Sequence, residues 1–75
     1  MLYKLEDMPA LIEEVTGYIK DAGVDPETFE IEVIDDPKYP YLRVATYTDN
    51  GGFMVRFHGT NDMDRLHDSL KELFG

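Results

Sequence analysis

The sequence predicts a single α+β domain in the order α-β-β-β-α, a three-stranded antiparallel sheet with two helices on one face. Three observations carry this. Apolar residues recur at three- and four-residue spacing near both ends of the chain, and alternate with charged ones between. Asp49-Asn50-Gly51-Gly52 then joins two of the alternating segments as a hairpin turn. At 75 residues there is room for one domain and one small core, and with no cysteine no disulfide staples it. Oligomerisation is the remaining common support, so a homodimer is expected.

Residues 8–22 read as an amphipathic helix, with Leu11, Ile12, Val15, Tyr18, Ile19 and Ala22 on one face. Asp7 is its expected N-cap, Pro9 suits the first turn and Gly23 supplies a left-handed exit. Glu13, Glu14 and Asp21 fall on the solvent side. Asp25-Pro26-Glu27-Thr28 is turn chemistry. Residues 29–34 alternate apolar and charged and form the first strand, which Asp35-Asp36-Pro37-Lys38-Tyr39-Pro40 ends as a rigid loop. Tyr41 to Thr48, rich in β-branched and aromatic residues, is the second strand, and Phe53 to His58 the third. Gly59 breaks it. Thr60, Asn61 or Asp62 caps a second helix that turns Met63, Leu66, Leu70, Leu73 and Phe74 inward.

Period-two alternation assigns the sheet faces. Phe29, Ile31, Val33, Leu42, Val44, Phe53, Val55 and Phe57 face the helices. Glu30, Glu32, Ile34, Tyr41, Arg43, Ala45, Tyr47, Met54, Arg56 and His58 face away. Ile34, Tyr41, Tyr47 and Met54 are the expected dimer contact, because large apolar side chains on an uncovered sheet exceed what solubility needs.

Sixteen acidic residues against seven basic ones give a net charge of −9. Such a charge repels nucleic acid and anionic membranes and attracts basic partners. Residues 23–40 hold six of the acids and one base, more than half of the net charge. Asp25, Glu27, Glu30, Glu32, Asp35 and Asp36 thus form a concentrated run, with Tyr39 at its margin, as the expected partner-binding surface. Alternate strand residues stand ~7 Å apart, close to the ~6.8 Å of two phosphate steps along a DNA strand. Carboxylates on a rigid backbone can occupy a groove that receives phosphates and gain from the same counterion release, so binding should fade with salt. Charges on an edge strand also serve simply to block aggregation. The helix acids Glu13, Glu14, Asp21, Asp64, Asp68 and Glu72 form a second acidic surface.

Catalytic chemistry is poorly served. Ser69 is the sole serine, with no Gly-x-Ser-x-Gly elbow around it, and there is no cysteine nucleophile. Gly51-Gly52 lacks the lysine of a phosphate loop. Asp62, Asp64 and His67 have a metal-like spacing, but the two aspartates do not share a helix face and suit a first turn. Asp35-Asp36 precedes a proline and no calcium loop follows. No enzyme activity, cofactor or metal is expected. Tyr39, Tyr41, Tyr47 and Phe53 are residue types that stack on RNA bases, but the field has the wrong sign. Residues 1–7 have neither the basic start nor the apolar stretch of a signal peptide, and no apolar run approaches the ~18 residues of a membrane span. A cytoplasmic location is expected.

A single cysteine-free domain with acids clustered from Asp25 to Asp36 resembles the small acidic proteins with which phages disable host machinery. In kind it is similar to the DNA-mimic inhibitors of the bacterial nucleoid-associated protein HU. The resemblance implies a non-enzymatic homodimer in the host bacterial cytoplasm that occupies the DNA-binding surface of a basic host protein. Two alternatives stay open. One is an anti-CRISPR-type inhibitor of a guide-RNA nuclease, and the other a small assembly module that docks a protein through its open sheet face.

Overall fold

The computed structural model describes residues 1–75. A 3-10 turn over Leu5–Asp7 leads into α1 (Met8–Asp21), and a second over Pro26–Thr28 leads into β1 (Phe29–Ile34). β2 (Tyr41–Thr48), β3 (Gly51–Phe57) and α2 (Asp62–Phe74) follow. The three strands form one antiparallel sheet in the order β1-β2-β3, as expected.

The period-two pattern works because one sheet face meets both helices. Leu42, Val44, Val55 and Phe57 are buried on that face against Met8, Leu11, Val15 and Ile19 of α1 and Leu66 and Leu70 of α2. Thr46 is the one buried polar residue, and its hydroxyl donates to the Thr28 carbonyl at 3.3 Å. In register, Leu42 lies between Val33 and Phe57, and Val44 between Ile31 and Val55. The core is centred on β2 and β3. It thins toward the free edge of β1, where Val33, expected to face the helices, remains 39 % exposed.

Several expected details differ. α1 ends at Asp21, so Ala22 is exposed, and Tyr18 at the edge of the apolar stripe is 39 % exposed. Phe74 is likewise 40 % exposed in the last turn of α2, with its ring 6.4 Å from that of Phe29 at the start of β1. Asp7 makes no cap bond to α1. Its carboxylate accepts instead from the Lys4 amide at 2.8 Å and closes the preceding 3-10 turn. Gly23 does take the left-handed conformation, with φ 81°. β3 starts at Gly51, two residues before the expected start, and ends one residue before His58. Gly51, at φ 123°, absorbs the positive φ of the hairpin that neither Asp49 nor Asn50 adopts.

The N-terminus continues the sheet beyond β3. Leu2 bridges Gly59, the Tyr3 amide donates to the His58 carbonyl at 2.8 Å and the Thr60 amide to the Met1 carbonyl at 3.1 Å. This pairing requires a glycine at position 59, since a Cβ there would sit 2.8 Å from the Met1 carbonyl oxygen. Gly59→Ala is therefore expected to push the terminus away. The effect is local, a loss of about 1 kcal/mol for the bonds released. Hydrogen exchange should show faster exchange at Tyr3 and Thr60 and unchanged protection at Val44 and Val55. Unchanged protection at Tyr3 would refute the pairing.

Asp62 locks the β3 exit to α2. Its Oδ2 accepts from the His58 and Gly59 amides at 2.8 and 3.0 Å, and its Oδ1 from Arg65 Nη1 at 3.3 Å. Burial pushes its pKa up, but the two amides and the guanidinium outweigh that and hold it below the ordinary carboxylate value. A carboxylate lowered on folding stabilises the fold above its unfolded pKa, and the contribution vanishes as pH falls through the folded value. Asp62→Ala should cost about 1–2 kcal/mol at pH 7. The difference from the parent chain should shrink below pH ~4. Urea unfolding at pH 7 and pH 3 measures both, and an undiminished difference at pH 3 would contradict the assignment.

Candidate functional site

The acidic run is placed along one margin of the molecule by β1, an edge strand. Asp25 and Glu27 lie in the 3-10 turn at its start, and Asp35 and Asp36 in the loop at its end. Six strand residues at ~3.3 Å each separate the two ends by roughly 20 Å, so the six carboxylates form a line with two ends and not one patch. Glu30 and Glu32 lie between them on the open face. All six are exposed.

Some of these acids have local work that sequence alone did not reveal. The Asp25 carboxylate accepts from the Glu27 amide at 3.0 Å. Asp36 Oδ1 accepts from the Lys38 and Tyr39 amides at 2.8 and 3.1 Å, which hold its pKa below the ordinary value, with His58 adding to the effect. Glu30 Oε2 accepts from Arg43 Nη1 at 3.1 Å, and that bond raises the arginine pKa further. Glu30 is thus partly neutralised by its own fold. Glu32 is the register partner of the same arginine but makes no ion pair with it.

Tyr39, 53 % exposed, lines a shallow cleft of about 470 Å³ between the β1–β2 loop and the N-terminal segment. Asp35 and Asp36 share that cleft with Lys4 and Lys38, so its charge is balanced.

The four residues expected at a dimer contact fall in two pairs. Ile34 is the register partner of Tyr41 at one end of the open face, while Tyr47 and Met54 are diagonal neighbours toward the other. Tyr47 is 71 % exposed and Met54 40 %. Between the pairs runs the charged row Glu32, Arg43 and Arg56. Ala45, also on this face, is fully buried beneath its taller neighbours. Glu30 and Glu32 share the face with all four apolar residues, so a second copy and a basic partner would compete for it.

The helix acids Glu13, Glu14, Asp21, Asp64, Asp68 and Glu72 are all exposed. Across the whole chain only Glu30, Asp62 and Asp68 have a basic side-chain nitrogen within 4.0 Å, leaving 13 of the 16 carboxylates without one. Asp62, Asp64 and His67 do not converge on a common point as metal ligands. Ser69 is half-buried in α2. No helix is long and apolar enough to cross a membrane.

Comparison with known proteins gives no relative: no protein family, curated protein or solved structure matches the chain.

Proposed function

We propose that this chain is a non-enzymatic acidic protein that binds the DNA-binding surface of a basic host protein, of the HU type, and competes with DNA for it. The observation that carries the reading is the unneutralised line of carboxylates along the β1 margin. Asp25, Glu27, Glu32, Asp35 and Asp36 are exposed, and none is paired with a basic side chain. Glu30, held by Arg43, contributes less. The molecule measures 35 × 20 × 20 Å, as long as about one turn of B-DNA at ~34 Å. The acidic line itself spans roughly 20 Å, so one copy presents carboxylates over about six base-pair steps.

The proposed homodimer through Ile34, Tyr41, Tyr47 and Met54 shares the open face with Glu30 and Glu32, so dimer formation and partner binding through β1 are expected to compete. Sedimentation of the free protein gives its mass, and a Tyr47→Asp variant that stays dimeric would reject that face. The function itself is tested with a purified HU-type protein and a fluorescent duplex at ~50 mM salt, where phosphate contacts are strong. The chain should release the duplex in a dose-dependent way and form a complex with the protein without contacting the duplex. Retention of the duplex at large molar excess of the chain would overturn the HU assignment.

A further inference from the structure

Beyond the carboxylates of β1, the three arginines of this strongly negative chain gather on the open face of the sheet, across β2 and β3, and at the start of α2. Arg43 and Arg56 are register partners on β2 and β3, and Arg65 lies one helical turn into α2. Like charges placed directly opposite on a sheet repel, so the pair of arginines is unfavourable in isolation. Glu30 relieves Arg43. Arg56 has no carboxylate within 4.0 Å. Arg65 meets Asp62 through Nη1 alone, at 3.3 Å, and that carboxylate already accepts from two backbone amides.

Arg56, His58 and Arg65, with Met54 as the apolar wall, line an open cavity of about 360 Å³ that contains no acidic residue. Tyr41 orders two of the three polar groups. The Arg56 guanidinium carbon lies 5.8 Å from its ring centre, and the His58 ring is tilted against it at 4.8 Å. A guanidinium held over an aromatic ring keeps its N–H edge free for an acceptor. Two guanidinium groups and an imidazole around one space are the donor set that takes an oxyanion, because each guanidinium can donate two parallel bonds to it.

We propose that Arg56, His58 and Arg65 form a binding site for a small oxyanion, a phosphate group or a carboxylate. The net charge of −9 does not forbid this. Asp36 acts on His58 and Asp62 holds Arg65, while at 0.15 M salt, with a screening length of ~8 Å, acids farther away are damped and the lining arginines act at contact range. The cavity lining includes no acid of the β1 run, but His58 faces Asp36 and Met54 belongs to the proposed dimer face, so amide shifts test the anion site and duplex release separately tests the competition with DNA.

The test titrates inorganic phosphate, and separately sodium acetate, into 15N-labelled protein, with sodium chloride at matched ionic strength as reference. The amide signals of Met54, Arg56 and His58 and the side-chain Nε–H signals of Arg56 and Arg65 should shift saturably. Phosphate acting alone identifies a phosphoryl ligand, acetate alone a carboxylate, and both a general oxyanion site. Arg56→Gln should weaken binding about tenfold or more, the loss expected for a charge-assisted hydrogen bond. Lys20→Gln, which removes the same charge from α1, should change it by less than about twofold at that screening length. Shifts no larger than those with chloride, or equal weakening by the two variants, would overturn the proposal. Both positions are exposed, and the same spectra report directly that the fold is retained.

Discussion

Phe57→Ala is expected to remove about half of the stability of this domain. Phe57 is the largest fully buried side chain. It sits on the inner face of β3 opposite Leu42, itself fully buried, where the two helices and the sheet meet. Truncating a buried phenylalanine costs about 3–5 kcal/mol, the sum of lost transfer energy and the cavity left behind. At ~0.05–0.15 kcal/mol per residue, a chain of this length has roughly 4–11 kcal/mol in total. The core cannot readily collapse around the space, because the neighbours are fixed by strand register on one side and helix packing on the other. Urea unfolding followed by far-UV circular dichroism should show a midpoint far below that of the parent, with the unfolding slope unchanged. Tyr39→Ala is the control. It removes an equally large ring from a 53 % exposed position outside the proposed dimer contact and should change stability by less than about 0.5 kcal/mol. A loss below about 1 kcal/mol for Phe57→Ala would mean that this residue is not in the core.

The same contrast explains what the sequence made legible. The bounds of β1 and β2 match the expectation because Phe29–Ile34 alternates cleanly and Tyr41–Thr48 is dense in strand formers. The start of β3 was hidden because Gly51 and Gly52 have no side chain to carry a periodic signal. Met8 is buried, and it lies three and seven residues before Leu11 and Val15, so the apolar periodicity of α1 reaches one turn farther than the expected face. The pairing of Leu2 with Gly59 joins residues distant in sequence, and no local pattern encodes it. Val33 shows the converse limit. Alternation fixes which face a side chain takes, but not how far the helices extend over that face.

For the candidate site, the excess of acid from Asp25 to Asp36 could be counted directly. Its geometry could not. That Glu30 spends its charge on Arg43 follows from register across two strands, and that the ends of the run stand apart follows from β1 being straight between them. The arginine cavity was latent in the positive balance of residues 41–61, but Arg65 joins it only through the packing of α2 beside β3.

Reversing Glu27, Glu32 and Asp35 to lysine is expected to abolish the proposed competition with DNA while leaving the fold intact. These three are exposed, have no ion-pair partner and accept no hydrogen bond from the rest of the chain. Glu30 is left in place because a lysine there would face Arg43. If each reversal costs about 1 kcal/mol at a screened interface, binding to a basic partner falls roughly a hundredfold. The matched variant Glu13→Lys, Glu14→Lys, Asp64→Lys makes the same change in net charge on the helices and should cost about threefold or less, since charges outside the contact act only through the screened field. Equal losses would assign the contact to the field of the whole molecule and reject the β1 margin. Salt provides a sharper criterion. Duplex DNA carries one charge per ~1.7 Å and holds condensed counterions, whose release makes its binding fall by a large power of salt concentration. Carboxylates ~7 Å apart along one strand are a sparser array than duplex phosphates, so the counterion release expected of them is smaller and their binding fades less steeply with salt. The chain should therefore displace DNA more effectively at ~200 mM salt than at ~50 mM, although its own affinity is lower there. Parallel salt slopes for the chain and the duplex on the same basic protein would show that a true counterion atmosphere is present and that this account of the mimicry is wrong.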